Sequence, residues 1–143
     1  MSIGYPDRSV ERKVMSTHRS GEPVDQLQPV VTTDEVLAAQ SLVRQVTFED
    51  SLVGYLLDIV EATRAHPGFR VGVSTRGALS FYRGCQARAL SDRRDFVTPD
   101  DIKSLAVATL AHRVLPEGVF HSAGRETVES ELKELLDQVP VPV

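Results

Sequence analysis

The chain has 143 residues, of which 41% are hydrophobic and 25% charged, a balance typical of one globular domain that can bury a core. Its formal net charge of −4 gives no general attraction to nucleic acid or to an anionic membrane surface, both of which favour clustered Lys and Arg. No apolar run approaches the ~18 to 20 residues of a membrane-spanning helix and the N-terminus lacks a signal-sequence pattern, so a cytoplasmic protein with no nucleic-acid or membrane partner is expected.

The first 31 residues contain one predicted helix between two irregular segments. Residues 1–6 are short and largely apolar and end in proline, which predicts an extended segment that leads into a helix. The acidic start at Asp7 and the i, i+4 pair Val10 and Val14 predict that this helix continues to about residue 16. Residues 17–31 contain one glycine and two prolines and are predicted to form a linker or irregular loop.

Two helices are predicted next, each beginning at a cap. Thr32 and Glu35 have the spacing at which a threonine and a glutamate satisfy the first amides of a helix. Thr47 and Asp50 repeat that spacing before the clearest amphipathic pattern in the chain. The residues that follow on one helical face are Val36, Ala39, Val43 and Val46 after the first cap, and Leu52, Leu56, Ile59, Val60 and Thr63 after the second.

The second half of the chain predicts three more helices. Residues 69–73 fit a short extended piece, although Gly72 argues against a strand. Ser74 is predicted to cap the fourth helix, and Thr98, with Asp101 three residues later, to cap the fifth. The residues predicted to face the core are Ala78, Phe81 or Tyr82, Cys85 and Ala89 in the fourth helix, Ile102, Leu105, Ala106 and Thr109 in the fifth, and Val128, Leu132, Leu135, Leu136 and Val139 in the last. The pattern predicts an all-α fold, a small bundle of about six helices with almost no strand.

Side chains with catalytic or metal-binding chemistry are sparse. The histidines have no second ligand three or four residues away and there is no cysteine pair, so no metal site is expected; these histidines are His18, His66, His112 and His121. Cys85 lies at helical spacing from apolar residues and is interpreted as a core residue. The sequence has neither a GxSxG elbow nor a GxxxxGK[ST] loop, which excludes a complete P-loop ATPase.

Arg76 and Gly77 are predicted in the first turn of the fourth helix, where neither residue type is favoured. An arginine there faces the positive end of the helix dipole, at a cost of roughly 0.3 to 1 kcal/mol, and a glycine costs about 1 kcal/mol relative to alanine. The residues at i+3 and i+4 from Arg76 are Leu79 and Ser80, which cannot form a salt bridge with it. Two explanations stay open at this point: Arg76 pairs with a carboxylate of another helix, or it binds a phosphate together with the helix amides, with Gly77 permitting close approach.

Two further groups of basic residues have ordinary explanations. His112 and Arg113 are predicted in the last turn of the fifth helix, where cations complement the negative end of the dipole. Arg93 and Arg94 lie between two aspartates in a predicted loop, which favours local ion pairing over nucleic-acid binding.

Five motifs follow one another from Ile3 to Val143. They are IGYPDRSVERKVM, DQLQPVVTTDEVLAAQSLVRQV, SLVGYLLDIVEATRAHPGFRVGVSTRGAL, VTPDDIKSLAVATLAHRVL and a VPVP tail. In this order they resemble the C-terminal lid subdomain of the MoxR group of AAA+ ATPases. The resemblance implies a helical bundle of the AAA+ lid type, with residues 1–6 as the junction from the ATPase core and residues 7–143 as the lid. The core motifs are missing from this sequence, so the resemblance implies a lid separated from its core.

The resemblance also implies a role for Ser74, Thr75, Arg76 and Gly77. Lids of this group carry an SPRG-like or SPRA-like signature, whose arginine, the sensor 2 residue, reaches the γ-phosphate of ATP bound on the core. These four residues are therefore expected at the nucleotide, with Arg76 sensing the γ-phosphate. Thr75 stands where proline is usual, so the first helical position lacks the fixed φ of proline. His112 and Arg113 match an HR pair that is frequent in these lids, which implies a subunit contact.

For the intact protein, the resemblance implies an AAA+ ATPase that binds and hydrolyses ATP with Mg²⁺ held by its own core. It further implies a homo-oligomeric ring, a hexamer, with a chaperone-like role in the maturation of protein complexes and with von Willebrand factor A domain proteins as partners. The chain alone is not expected to be catalytic, although it is part of an ATP hydrolase.

Two other classes of function fit parts of the sequence. A free-standing helical adaptor would bind a partner protein through an apolar groove. A helix-turn-helix DNA-binding protein would need basic residues along one helix, whereas here they are dispersed among acidic residues.

Overall fold

The computed structural model describes residues 4–118 and 125–142. Within these ranges the helices are α1 (Arg8–Thr17), α2 (Thr33–Val43), α3 (Asp50–Ala65), α4 (Thr75–Ser91), α5 (Pro99–Leu110) and α6 (Arg125–Gln138), and the strands are β1 (Phe69–Val71) and β2 (Leu115–Pro116). The predicted all-α fold with six helices is confirmed, and β1 and β2 add a small two-stranded sheet. None of the helices in the described ranges combines the length and the apolar composition needed to cross a lipid bilayer.

The chain divides into two compact units, and the division falls within α2, after Ala38. The first unit contains α1, the 3-10 helices His18–Ser20 and Pro23–Gln26, and the start of α2. Thr32 and Glu35 form the predicted capping box, in which the Thr32 amide donates to the Glu35 carboxylate at 2.7 Å and the Glu35 amide donates to Thr32 Oγ1 at 3.2 Å. The bond from the Thr32 amide lowers the pKa of Glu35. The domain boundary predicted after residue 6 stays a prediction.

The second unit, which begins at Ala39, contains the hydrophobic core. Buried side chains from four helices form most of it: Leu52, Tyr55, Leu56, Ile59, Val60 and Thr63 from α3, Ala78, Phe81, Cys85 and Ala89 from α4, Ile102, Ala106 and Leu110 from α5, and Val128, Leu132, Leu135 and Leu136 from α6. In α4 it is Phe81 and not Tyr82 that is fully buried. Tyr55 and Leu110 are core residues that the predicted faces did not include, whereas the predicted residues Leu105, Thr109 and Val139 are half-buried.

The segment between α2 and α3 differs from its prediction. The helix α2 ends at Val43 and has no buried residue. Of the apolar face predicted here, only Val46, which lies beyond the end of α2, is part of the core. Thr47 is not a helix cap, because the N-cap of α3 is Glu49. The backbone of Thr47 instead pairs with the segment before α5, accepting from the Val97 amide at 3.0 Å and donating to the Asp95 carbonyl at 2.8 Å. This pairing keeps Thr47 outside the helix, so that α3 is capped by Glu49 and begins at Asp50, two residues later than a cap at Thr47 would give.

The turn between α4 and α5 is stabilised by a buried carboxylate. Asp101 accepts from the two terminal nitrogens of Arg94, at 2.8 and 2.7 Å. It also forms a capping box with Thr98, the predicted cap of α5. Burial alone raises the pKa of Asp101, but the hydrogen bonds from Arg94 and Thr98 outweigh burial and the pKa is lowered. The local pairing predicted for Arg94 is confirmed with Asp92 at 3.3 Å, although Asp101 is its closer partner.

The strands β1 and β2 pair antiparallel, with Phe69 opposite Pro116 and Val71 opposite Leu115. The extended piece predicted at residues 69–73 is thus confirmed as a strand for its first three residues. The side chain of Phe69 is buried in the core, which anchors β1. From β1 the chain passes through only three residues before α4 begins, so β1 and the end of α3 determine where the first turn of α4 lies.

Candidate functional site

The first turn of α4 has the cap that the sequence predicts. Ser74 is the N-cap and has an extended backbone, with φ −72° and ψ 162°. Its Oγ accepts a hydrogen bond from the Gly77 amide at 3.2 Å, and its carbonyl accepts from the Ala78 amide at 2.9 Å. The amides of Thr75 and Arg76 precede the first intrahelical bonds, so they belong to the unsatisfied donors that a helix start presents.

Arg76 is the second residue of α4, and its side chain is exposed. Among the residues that the structure describes, no carboxylate forms an ion pair with its guanidinium and no acceptor bonds to it. The Arg76 carbonyl accepts from Ser80 Oγ at 3.0 Å, which is a bond within the helix. The described residues therefore do not supply the carboxylate that one of the two explanations of Arg76 requires.

Gly77 has a packing reason to be glycine. It is buried, and a Cβ atom built on it would lie 2.7 Å from Val73 Cγ1, 3.4 Å from Arg113 Cδ and 3.6 Å from Ser74 Oγ. Carbon atoms in van der Waals contact are separated by roughly 3.5 to 4.0 Å, so the contact with Val73 leaves no room for a methyl group. The close approach predicted at Gly77 is thus made by side chains of the chain itself, and its contact with a nucleotide stays a prediction.

The residue before the cap is held by the end of α3. Thr63 Oγ1 accepts from the Val73 amide at 3.0 Å, and Arg64 Nε donates to the Val73 carbonyl at 2.8 Å. Thr63 Oγ1 also donates to the Val60 carbonyl at 2.6 Å. The sequence pattern places Thr63 on the buried face of α3, but periodicity carries no information about which hydroxyl bonds to a distant backbone amide.

His112 and Arg113 lie in the turn that follows α5, just beyond the last helical turn in which they were predicted. Arg113 Nε donates to the Thr109 carbonyl at 3.1 Å, so the side chain folds back along the C-terminal end of α5, where a cation is favoured. The aliphatic part of Arg113 reaches the Gly77 position of α4. His112 is exposed. The subunit contact implied for this pair stays a prediction.

Three arginines therefore lie at or against the start of α4: Arg76 within its first turn, Arg64 on the carbonyl of Val73, and Arg113 beside Gly77. In residues 4–118 and 125–142 none of the three forms an ion pair. Positive side chains and free helix amides at one location make the potential positive there. This arrangement suits an anionic group such as a phosphate.

The other side chains considered for catalysis or metal binding are a cysteine and the histidines. Cys85 is fully buried, and burial raises the pKa of its thiol to about 12, which confirms the interpretation as a core residue. His66 packs on Phe69 and accepts from the Gly68 amide at 3.2 Å, and His18 lies 3.3 Å from Glu22. His121 lies outside the described residues. Within those residues, no group of three or more His, Cys, Asp or Glu side chains could hold a metal ion.

Comparison with known proteins identifies the domain. The family model of the AAA lid domain matches residues 61–135, which run from the end of α3 through most of α6. The YeaC protein of Bacillus subtilis is 37% identical over 145 residues and is similar to the whole chain, which covers 44% of YeaC. Chaperone MoxR1 of Mycobacterium tuberculosis is 26% identical, with 80% of the chain and 32% of MoxR1 covered. Protein MoxR of Methylorubrum extorquens is 27% identical, with 93% of the chain and 38% of that protein covered.

A solved structure agrees with these relatives. A crystal structure of a protein from Cytophaga hutchinsonii that is assigned as an ATPase superposes with a TM-score of 0.75 at 27% identity, covering 99% of the chain and 45% of that protein. The chain thus spans less than half the length of each of these proteins. The matching family model, the MoxR relatives and the shared fold lead to one conclusion: this chain belongs to the AAA lid domain family and is a lid of the MoxR type of AAA+ ATPase.

Proposed function

We propose that this lid senses the nucleotide of its ATPase, with Arg76 as the sensor 2 residue that contacts the γ-phosphate of ATP. The observation that carries the proposal is the exposed Arg76 guanidinium at the start of α4, which has no partner among the described residues. An arginine in this position opposes the helix dipole unless an anion is present. A phosphate would accept hydrogen bonds from the N–H groups of the Arg76 guanidinium and from the first backbone amides of α4.

In the intact ATPase, ATP would bind between the core and the lid, with Mg²⁺ held by the core. Ser74, Thr75, Arg76 and Gly77 would form the lid's side of this site. Hydrolysis is chemistry of the core, and the lid contributes the response to the γ-phosphate. A charge-assisted hydrogen bond to a phosphate contributes about 1.5 to 3 kcal/mol, enough to shift an equilibrium between two lid positions roughly tenfold to a hundredfold. The segment of residues 1–6 would be the junction about which the lid moves.

We propose that the first unit provides the surface that the core covers. Several of its large apolar side chains are exposed, including Val10, Val14, Val30 and Val31, and Val30 is 94% exposed. Because the relatives extend well beyond the length of this chain, the ATPase core is the partner with the size to bury such residues. Burying apolar surface contributes roughly 25 cal/mol per Å², so these side chains favour a docked core.

The assembly proposed for the intact protein is a homo-oligomeric ring, a hexamer, located in the cytoplasm. Its proposed role is the chaperone-like maturation of protein complexes, in which it acts together with partners that carry von Willebrand factor A domains. The name of one relative, Chaperone MoxR1, supports the chaperone-like role. The ring, the hexamer and the von Willebrand factor A domain partners rest on the resemblance to the MoxR group.

The test is the steady-state ATPase activity of the intact ATPase that contains this lid. Arg76→Ala should leave the lid folded and lower kcat roughly tenfold to a hundredfold, the factor that corresponds to one lost contact between arginine and phosphate. The matched control is Arg88→Ala, at the C-terminal end of the same helix, where the arginine pairs with Asp92 at 3.1 Å. If Arg76→Ala turns over ATP as fast as the Arg88→Ala control, the sensing role is refuted.

A further inference from the structure

The residue that precedes the cap of α4 has both of its backbone polar groups bound by side chains of α3. Thr63 Oγ1 accepts from the Val73 amide at 3.0 Å and Arg64 Nε donates to the Val73 carbonyl at 2.8 Å. Thr63 is 0% exposed and Val73 is 1% exposed, so water does not compete for the bond between them. Because the two side chains are adjacent on α3, they hold Val73 from two directions.

A backbone contact beside these bonds fixes the same segment. A Cβ atom built on Gly72 would lie 2.5 Å from the Cα of Arg64, 2.6 Å from its amide nitrogen and 2.7 Å from the Thr63 carbonyl oxygen. These are backbone atoms that cannot move aside as the end of a flexible side chain can. The chain therefore crosses α3 at Gly72 with its backbone against the helix backbone, and the two hydrogen bonds to Val73 follow at the next residue.

Val73 is three residues from Arg76. Val73 is followed by the cap Ser74, whose Oγ bonds to the Gly77 amide, and Arg76 lies between them. Thr75 occupies the first helical position without the fixed φ that a proline would supply. The direction in which α4 begins is thus set by the residues that hold Val73 and by the Ser74 cap.

We propose that Thr63 and Arg64 are positioning residues for nucleotide sensing: by binding Val73 they fix the first turn of α4, and so the place from which Arg76 reaches the γ-phosphate. The inference rests on the proposed function of Arg76 and deepens it. It assigns to the end of α3 a role in ATP turnover through Arg76, without contact between Thr63 and the nucleotide.

The test uses Thr63→Val, which keeps the side-chain volume and removes the acceptor of the Val73 amide, and Thr63→Ser, which retains the hydroxyl. In the intact ATPase, Thr63→Val should lower kcat by roughly tenfold, within the range expected for losing the arginine contact itself, with a smaller change in KM for ATP. Thr63→Ser should restore most of kcat. Hydrogen exchange of the Val73 amide, measured on the lid, should be faster in Thr63→Val than in Thr63→Ser.

The decisive measurement is Thr63→Val combined with Arg76→Ala. If Thr63 acts through Arg76, the double variant should be no slower than Arg76→Ala alone, since the contact that Thr63 positions has already been removed. If Thr63→Val lowers kcat by the same factor in both backgrounds, or leaves kcat unchanged where Arg76→Ala lowers it, the inference is wrong while the proposed function stands. If Arg76→Ala itself has no effect, the proposed function fails, and the inference falls with it.

Discussion

The contact between Gly77 and Val73 can be tested by adding one methyl group. Gly77→Ala places a Cβ atom 2.7 Å from Val73 Cγ1, and Val73 is a β-branched residue that is 1% exposed and has little freedom to rotate. Alanine improves helix propensity by at most about 1 kcal/mol over glycine, whereas overpacking of a core costs about 1 to 3 kcal/mol. We therefore expect a net loss of about 1 kcal/mol in the free energy of unfolding.

Two other helical glycines provide the controls. A Cβ atom at Gly84, later in α4, would meet only Leu105 Cδ1 at 3.9 Å, and one at Gly54 in α3 would meet no atom within 4 Å. Gly84→Ala and Gly54→Ala should each raise the stability by about 0.5 to 1 kcal/mol. Urea unfolding followed by far-UV circular dichroism measures all three variants. If Gly77→Ala is as stabilising as the controls, the Val73 side chain can move to accommodate a methyl group, and the close packing of the first turn of α4 is refuted.

Two further predictions concern buried titratable groups. Hydrogen bonds from Arg94 and Thr98 lower the folded-state pKa of Asp101. Its carboxylate therefore stabilises the fold fully above the unfolded-state pKa of about 4, and this stabilisation is lost as the pH falls through the folded-state pKa. Asp101→Asn should cost roughly 1.5 to 3 kcal/mol at pH 7 and flatten the dependence of the urea midpoint on pH below about 4; an unchanged acid dependence would contradict the assignment. Cys85, with its pKa raised to about 12, should react with Ellman's reagent at pH 8 only as fast as the lid unfolds, and rapid labelling of the folded lid would show that the thiol is accessible.

The sequence predicts those parts of the lid that depend on neighbouring residues. The buried face of α3 follows from apolar spacing, and the caps at Thr32, Ser74 and Thr98 follow from side chains that bond to amides three residues later. These interactions are local, so the residue types and their spacing are sufficient to find them. The same reasoning is wrong at Thr47, because a threonine at cap spacing can also pair through its backbone with a distant segment.

Interactions between residues far apart in the chain were not predictable from spacing. The bond from the Val73 amide to Thr63 Oγ1 spans ten residues, and the bond from Gln86 Nε2 to the Val46 carbonyl spans forty. Both residues occur at buried helical positions where an apolar side chain would satisfy the pattern equally well. A polar residue at a predicted core position was the available signal, because buried polar groups are rarely left without a partner.

The structure separates the two unfavourable residues at the start of α4. Glycine at position 77 follows from packing, because Val73 and Arg113 occupy the space beside it, and this explanation needs no nucleotide. Arginine at position 76 has no comparable explanation within the described part of the lid, since its side chain is exposed and its cost against the helix dipole is not offset by a neighbouring carboxylate there. An anion held by another domain offsets that cost only while it is bound. That condition is what a sensor of the γ-phosphate requires, because the lid must prefer one position with ATP and lose the preference after hydrolysis.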